Sequence, residues 1–136
     1  MENQETKAEP KKMPERKKTF KIKDNSYDCE FFNTGQLLEV ELLKTQLSRG
    51  QYNELSNAGT VSSNYSRFMV DCIATLTVLI PSLKKDMNVK TISELKVEDS
   101  KYLLQIYLKE IFPWVQSWMD FLNSDDEQVE APKDEK

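Results

Sequence analysis

Thirteen consecutive residues, Phe68 to Ile80 (FMVDCIATLTVLI), contain only three polar side chains, Asp71, Thr75 and Thr77. A bilayer core needs roughly 20 such residues, so this run is too short to span one. It predicts instead a central helix over about 63–80, buried on most of its surface. Pro81 ends it, because a proline ring disfavours helical backbone at the residue before it. Thr60-Val61-Ser62-Ser63-Asn64 supplies several caps for its start. The rest of the chain then has to cover this helix. Asp71 is the only charge in the run, and it either occupies a solvated edge or pairs with a base such as Arg67, four residues earlier.

The cover is legible as one hairpin and several helices. Phe20 and Ile22 alternate on one face, and Tyr27, Cys29 and Phe31 repeat the alternation with Asp28 and Glu30 opposite. Asp24-Asn25-Ser26 is a turn cluster between them, so 19–32 reads as a β-hairpin. A lone hairpin is marginal in water, so this one is expected to pack on a helix. Thr34 then caps a helix over about 35–48, with Gly50 as its stop. Leu37, Val40, Leu43 and Leu47 line one side of that helix, while Leu38 and Leu42 lie on the opposite side. Two apolar stripes need two covers, which are the hairpin and the central helix, or else another chain.

Thr91-Ile92-Ser93-Glu94 fits a capping box before a short helical turn. The last helical region begins at Glu98-Asp99, acids suited to a helix N-terminus. In it Leu104, Leu108, Ile111, Val115, Trp118 and Leu122 follow spacings of 4, 3, 4, 3 and 4, with Tyr107, Trp114 and Phe121 beside them every seventh residue. Pro113 kinks one long helix or opens a second, giving helices over about 98–112 and 113–123. The stripe is either a core-facing surface packed on the central helix or an interface anchored by two tryptophans. The expected fold is thus mainly α (α+β), a hairpin packed on a small helical bundle, as one domain over 19–123.

Charge and composition bound the function. Residues 1–23 hold eight Lys/Arg against four Asp/Glu, residues 24–123 nine against thirteen, and residues 124–136 two against six. Residues 1–18 read as a disordered basic head and 124–136 as a disordered acidic tail. The Lys11-Lys12 and Arg16-Lys17-Lys18 clusters are interspersed with Glu9 and Glu15, and the body is acidic, so nucleic-acid binding is not expected. No apolar signal segment opens the chain, and a cytoplasmic site of synthesis is the expected default. Histidine is absent, which removes the commonest general base and metal ligand. Cys29 and Cys72 form no CxxC and sit among apolar neighbours, as reduced core cysteines do. No phosphate loop, dinucleotide fingerprint, nucleophile elbow or zinc-protease motif is present. Catalytic residues, metals and cofactors are accordingly not expected.

One resemblance adds to this. Phe20-Lys21-Ile22-Lys23-Asp24-Asn25-Ser26-Tyr27, followed by TGQLLEVELLKTQLSRGQY and the later FPWVQSWMDFL, resembles in layout the small tail assembly chaperones of long-tailed bacteriophages and related small phage structural proteins. The resemblance covers about 19–123. It implies a helical, non-enzymatic protein that binds the tape-measure protein through protein contacts and has no catalytic residues. The location it implies is the host cytoplasm or the virion. Two alternatives stand beside it, a virion subunit associated with head–tail or capsid, and a nucleic-acid-binding accessory protein that uses the basic head. On this reading the contact surface with a partner or a second copy is Leu104, Tyr107, Leu108, Ile111, Trp114, Val115, Trp118, Phe121 and Leu122, with Leu38 and Leu42 of the first helix.

Overall fold

A computed structural model describes residues 12–130, and the side chains of 12–123. The chain is mainly α with one antiparallel hairpin. The hairpin strands are β1 (Lys17–Ile22) and β2 (Asn25–Glu30), paired from Lys17 against Glu30 to Ile22 against Asn25. Phe20, Ile22, Tyr27 and Cys29 are buried, so the inward face is the one the alternation predicts. The turn is one step earlier than expected. It consists of Lys23 and Asp24, with Lys23 at φ 57°, and the Lys23 N–H donates to the Tyr102 hydroxyl at 2.8 Å. Asn25 and Ser26, read as turn residues, belong to β2 because a two-residue turn twists with the strands.

Helix α1 (Thr34–Leu47) starts one residue before the expected position. Its cap is Asn33, not Thr34, and the Asn33 side chain accepts from the Gln36 N–H while the Gln36 side chain accepts from the Asn33 N–H. After α1 the chain turns through Arg49 and Gly50, both in the left-handed region at φ 55° and 79°. Helix α2 (Tyr52–Ala58) follows, ending at Gly59 with φ 72°.

The central helix α3 spans Val61–Leu79 and opens with a capping box between Thr60 and Ser63. It packs against α1, α2, the short helix α4 (Leu83–Asp86), the 3₁₀ turn Ile92–Glu94 and helix α5 (Val97–Ile106). Its second half carries the burial, with Cys72, Ala74, Leu76 and Leu79 in the core, whereas Phe68, Met69 and Val70 are half-buried. The expected capping box at Thr91 is absent: Thr91 Oγ1 bonds Ser93 Oγ, and the Glu94 carboxylate accepts from the Lys90 N–H instead.

Beyond α5 the helix does not break. A π turn over Tyr107–Ile111 leads directly into α6 (Phe112–Glu130). Pro113 explains the wide turn. It has no N–H to give to the carbonyl four residues back, and its ring would press on that carbonyl. The Phe112 N–H reaches back five residues to the Tyr107 carbonyl. The buried line that results runs through Leu104, Tyr107, Ile111, Trp114 and Trp118, while Leu108 is exposed and Val115 and Leu122 are half-buried. Helix α6 continues to Glu130, into the stretch expected to be a disordered tail. The head is likewise shorter than expected, since Lys17 and Lys18 belong to β1 and Glu15 and Arg16 are bonded to the body. The remaining expectations of disorder, for residues 1–11 and 131–136, lie outside the described residues.

Candidate functional site

The eleven residues expected to form a contact surface separate into three groups. Leu104, Tyr107, Ile111, Trp114 and Trp118 belong to the chain's own core, which corrects their reading as an interface. Val115, Phe121 and Leu122 pack half-buried against that core. Only Leu38, at 65% exposed, Leu42, at 52%, and Leu108, at 38%, present large apolar side chains to the outside.

What the tryptophans do instead is close the fold. Their indole N–H groups both donate to one acceptor, the backbone carbonyl of Glu15, at 2.8 Å from Trp114 and 3.1 Å from Trp118. Phe31 stacks on Trp118 with ring centroids 4.8 Å apart and meets Trp114 edge-on at 5.9 Å, while Phe20 lies 5.4 Å from Trp114. The Arg16 guanidinium completes the closure. It donates to the Phe31 and Phe32 carbonyls, pairs with Glu30 at 3.2 Å, and lies 5.6 Å from the Trp118 ring. The aromatic content of the last helix was visible in the sequence; the part played by Glu15 and Arg16, in a stretch without apolar pattern, was not.

A second cluster surrounds Asp71. The carboxylate is buried, not at a solvated edge. Oδ1 accepts from the Tyr52 hydroxyl at 2.7 Å and faces Lys44 Nζ at 3.5 Å. Arg67, the expected partner, stands farther off at 4.0 Å, its guanidinium 4.3 Å from the centre of the Phe68 ring and its Nε buried without a hydrogen-bond partner among the described residues. Asp71 thus joins α1, α2 and α3. An open cleft of about 260 Å³ borders the cluster, lined by Glu41, Lys44, Thr45, Gly50, Tyr52 and Asn53.

Six groups, Tyr27, Cys29, Lys44, Tyr52, Cys72 and Tyr107, shift in one direction. Burial pushes the Cys29 thiol up to about 11 and the Cys72 thiol to about 12, with Asp28 and Asp71 adding to the rise. Burial raises Tyr107, and burial with hydrogen bonds to Asp86 and Asp71 raises Tyr27 and Tyr52. For Lys44, burial acts downward, but Asp71, Glu41 and Tyr52 outweigh it and the net shift is upward. Every one of these groups holds its proton more tightly folded than unfolded. Their contribution to stability is therefore complete below the unfolded values, which begin at 9.0 for cysteine, and is lost as pH rises through the folded ones. The urea midpoint is expected to fall continuously from about pH 9 to about pH 12. Replacing Cys72, the thiol raised further of the two, with alanine should flatten the onset of that fall, which a pH series of urea melts would reveal.

Both cysteines are free. Among the described residues no group of histidine, cysteine and carboxylate side chains is placed to hold a metal ion, and no helix is long and apolar enough to cross a membrane. No protein-family model, curated protein or solved structure matches the chain.

Proposed function

We propose that this protein acts through contact with another protein, and that the outer face of α1 receives an amphipathic helix of that partner. One observation carries the reading. Leu38 and Leu42 lie one turn apart on the side of α1 directly opposite Val40 and Leu47, which face the core, and both are more than half exposed. A helix that serves only as core cover needs one apolar stripe. A second, on the solvent side and flanked by Glu39 and Glu41, supplies spaced anchors for a helix with a basic flank. The resemblance in sequence layout to phage tail assembly chaperones is the second support for this reading. On that reading the partner is the tape-measure protein, and the complex forms inside the host cell.

The experiment is co-expression with a tape-measure protein, the partner that this reading names. Leu38→Glu with Leu42→Lys is expected to abolish co-purification and to leave the melting temperature within about 2 °C, because exposed substitutions away from special features change stability by under about 0.5 kcal/mol. Unchanged co-purification would reject the α1 face. Mass spectrometry of purified particles then distinguishes a chaperone, scarce in the particle, from a virion subunit present in stoichiometric amounts.

A further inference from the structure

Among the described residues, the outer edge of β1 pairs with no other strand. Ile22 and Asn25 close a two-residue turn, and at the other end the Phe31 N–H donates to the Arg16 carbonyl at 2.8 Å. That phase makes 22/25, 20/27, 18/29 and 16/31 the hydrogen-bonded pairs. The alternate residues Lys17, Thr19 and Lys21 therefore turn their backbone N–H and C=O groups away from β2, and among the described residues none of these groups has a hydrogen-bond partner. Buried backbone groups would be paired, so these face water or a ligand strand.

Charge and space say what fits. Lys17, Lys18, Lys21 and Lys23 are all exposed, and the segment 17–23 contains no acidic residue. A groove of about 460 Å³ borders β1 at Lys18, between Pro14 and Glu15 on one side and Lys109, Glu110, Pro113, Trp114 and Ser117 on the other. Lysines along an edge discourage pairing with neutral or basic strands, and they favour a strand that brings carboxylates. A second copy of this chain meets a steric obstacle. Adding its hairpin edge to edge allots roughly 10 Å, two strand widths, to a body made of several helices each about 10–12 Å across. A bare extended segment has no such body.

We infer that the free edge of β1 is a docking site for an acidic, extended segment of a partner protein, which adds as a third strand with its side chains alternating between the lysine row and the groove floored by Pro113 and Trp114. This surface is separate from the α1 face, and it holds or fails independently of it.

The test uses the full chain, ¹⁵N-labelled, and two short blocked peptides, one alternating Glu with Val and Thr and the other with Lys in place of Glu. The acidic peptide is expected to shift the amide signals of Lys17, Thr19 and Lys21 and to slow their hydrogen exchange. Its affinity should weaken several-fold as salt rises from about 0.05 to about 0.3 M. Thr19→Pro removes an outward N–H and no β1–β2 backbone hydrogen bond, though it also removes the exposed 2.7 Å bond from the Thr19 hydroxyl to Asp28, and it should weaken binding about tenfold or more. Lys17→Glu with Lys21→Glu leaves the backbone untouched and should reverse the preference between the two peptides. Equal binding of both peptides by the unaltered chain, no binding of the acidic one, or protection of the three amides before any peptide is added would each overturn the proposal. Full acidic-peptide affinity in the Lys17→Glu, Lys21→Glu variant would do the same, whether or not Thr19→Pro folds.

Discussion

Trp118→Ala should destabilise the fold by about 3–5 kcal/mol, the range for truncating a buried large aromatic. The indole is 3% exposed, stacks on Phe31 at an interplanar angle of 10° and meets Phe121 edge-on. Alanine removes all of these contacts and leaves a cavity between the hairpin and α6. Trp118→Phe separates packing from polarity. It keeps most of the ring but drops the N–H, and Glu15 retains its 2.8 Å bond from Trp114, so the hydrogen-bond part of the loss should be about 0.5–1.5 kcal/mol. Urea unfolding followed by far-ultraviolet circular dichroism measures both. Since domains of this size have a net stability of about 5–15 kcal/mol, the alanine variant should unfold at much lower urea. A loss below about 1 kcal/mol would mean that Trp118 lies outside the core.

Asp71→Ala is expected to cost a similar amount, about 3–5 kcal/mol, for a different reason. The substitution deletes little volume, but it leaves the amine of Lys44, whose side chain is only 19% exposed, with Glu41 alone at 3.1 Å, and it strands the hydroxyl of Tyr52. Most of the cost is the loss of the buried one of the two carboxylates that face Lys44, together with the acceptor of the Tyr52 hydroxyl. Asp71→Leu combined with Lys44→Met should therefore be considerably more stable than Asp71→Ala alone, because removing both charges removes the desolvation penalty as well. Equal loss in the single and double variants would show that packing, not charge, dominates there. Chemical denaturation of the three proteins at one pH decides between these outcomes.

How much of this was legible in the sequence depended on whether the signal was periodic. The alternation of Phe20, Ile22, Tyr27 and Cys29 placed the hairpin's inner face correctly, since a one-residue slip would have exposed all four. The run to Ile80, ended by Pro81, located the central helix, and the two stripes on α1 identified one as core and left the other without a cover. What periodicity could not supply were contacts between residues far apart in the chain. Lys44 reaches Asp71, and Glu15 reaches Trp118 across 103 positions. Nothing in the local pattern of a lysine or a glutamate indicates a partner at that separation. The interface reading of the last helix failed for a related reason. A row of aromatics looks the same whether a partner or the same chain covers it, and here Phe31, Arg16 and the Glu15 carbonyl cover it. The π turn is a third case, because a proline in a heptad pattern marks a disturbance without saying how the backbone absorbs it.

The shared acceptor at Glu15 also bears on the order of events during synthesis. The two indoles that hold the hairpin leave the ribosome about a hundred residues after the carbonyl they bond, at roughly 5–20 residues per second. For those seconds β1, β2, Phe31 and Phe32 have no permanent cover, and the strand edges and aromatic face are open to any other nascent chain. The Glu15 end closes only with the arrival of α6, so a ribosome stalled before Trp114 holds a hairpin that can reach Asp86 and Tyr102 but lacks both indole bonds.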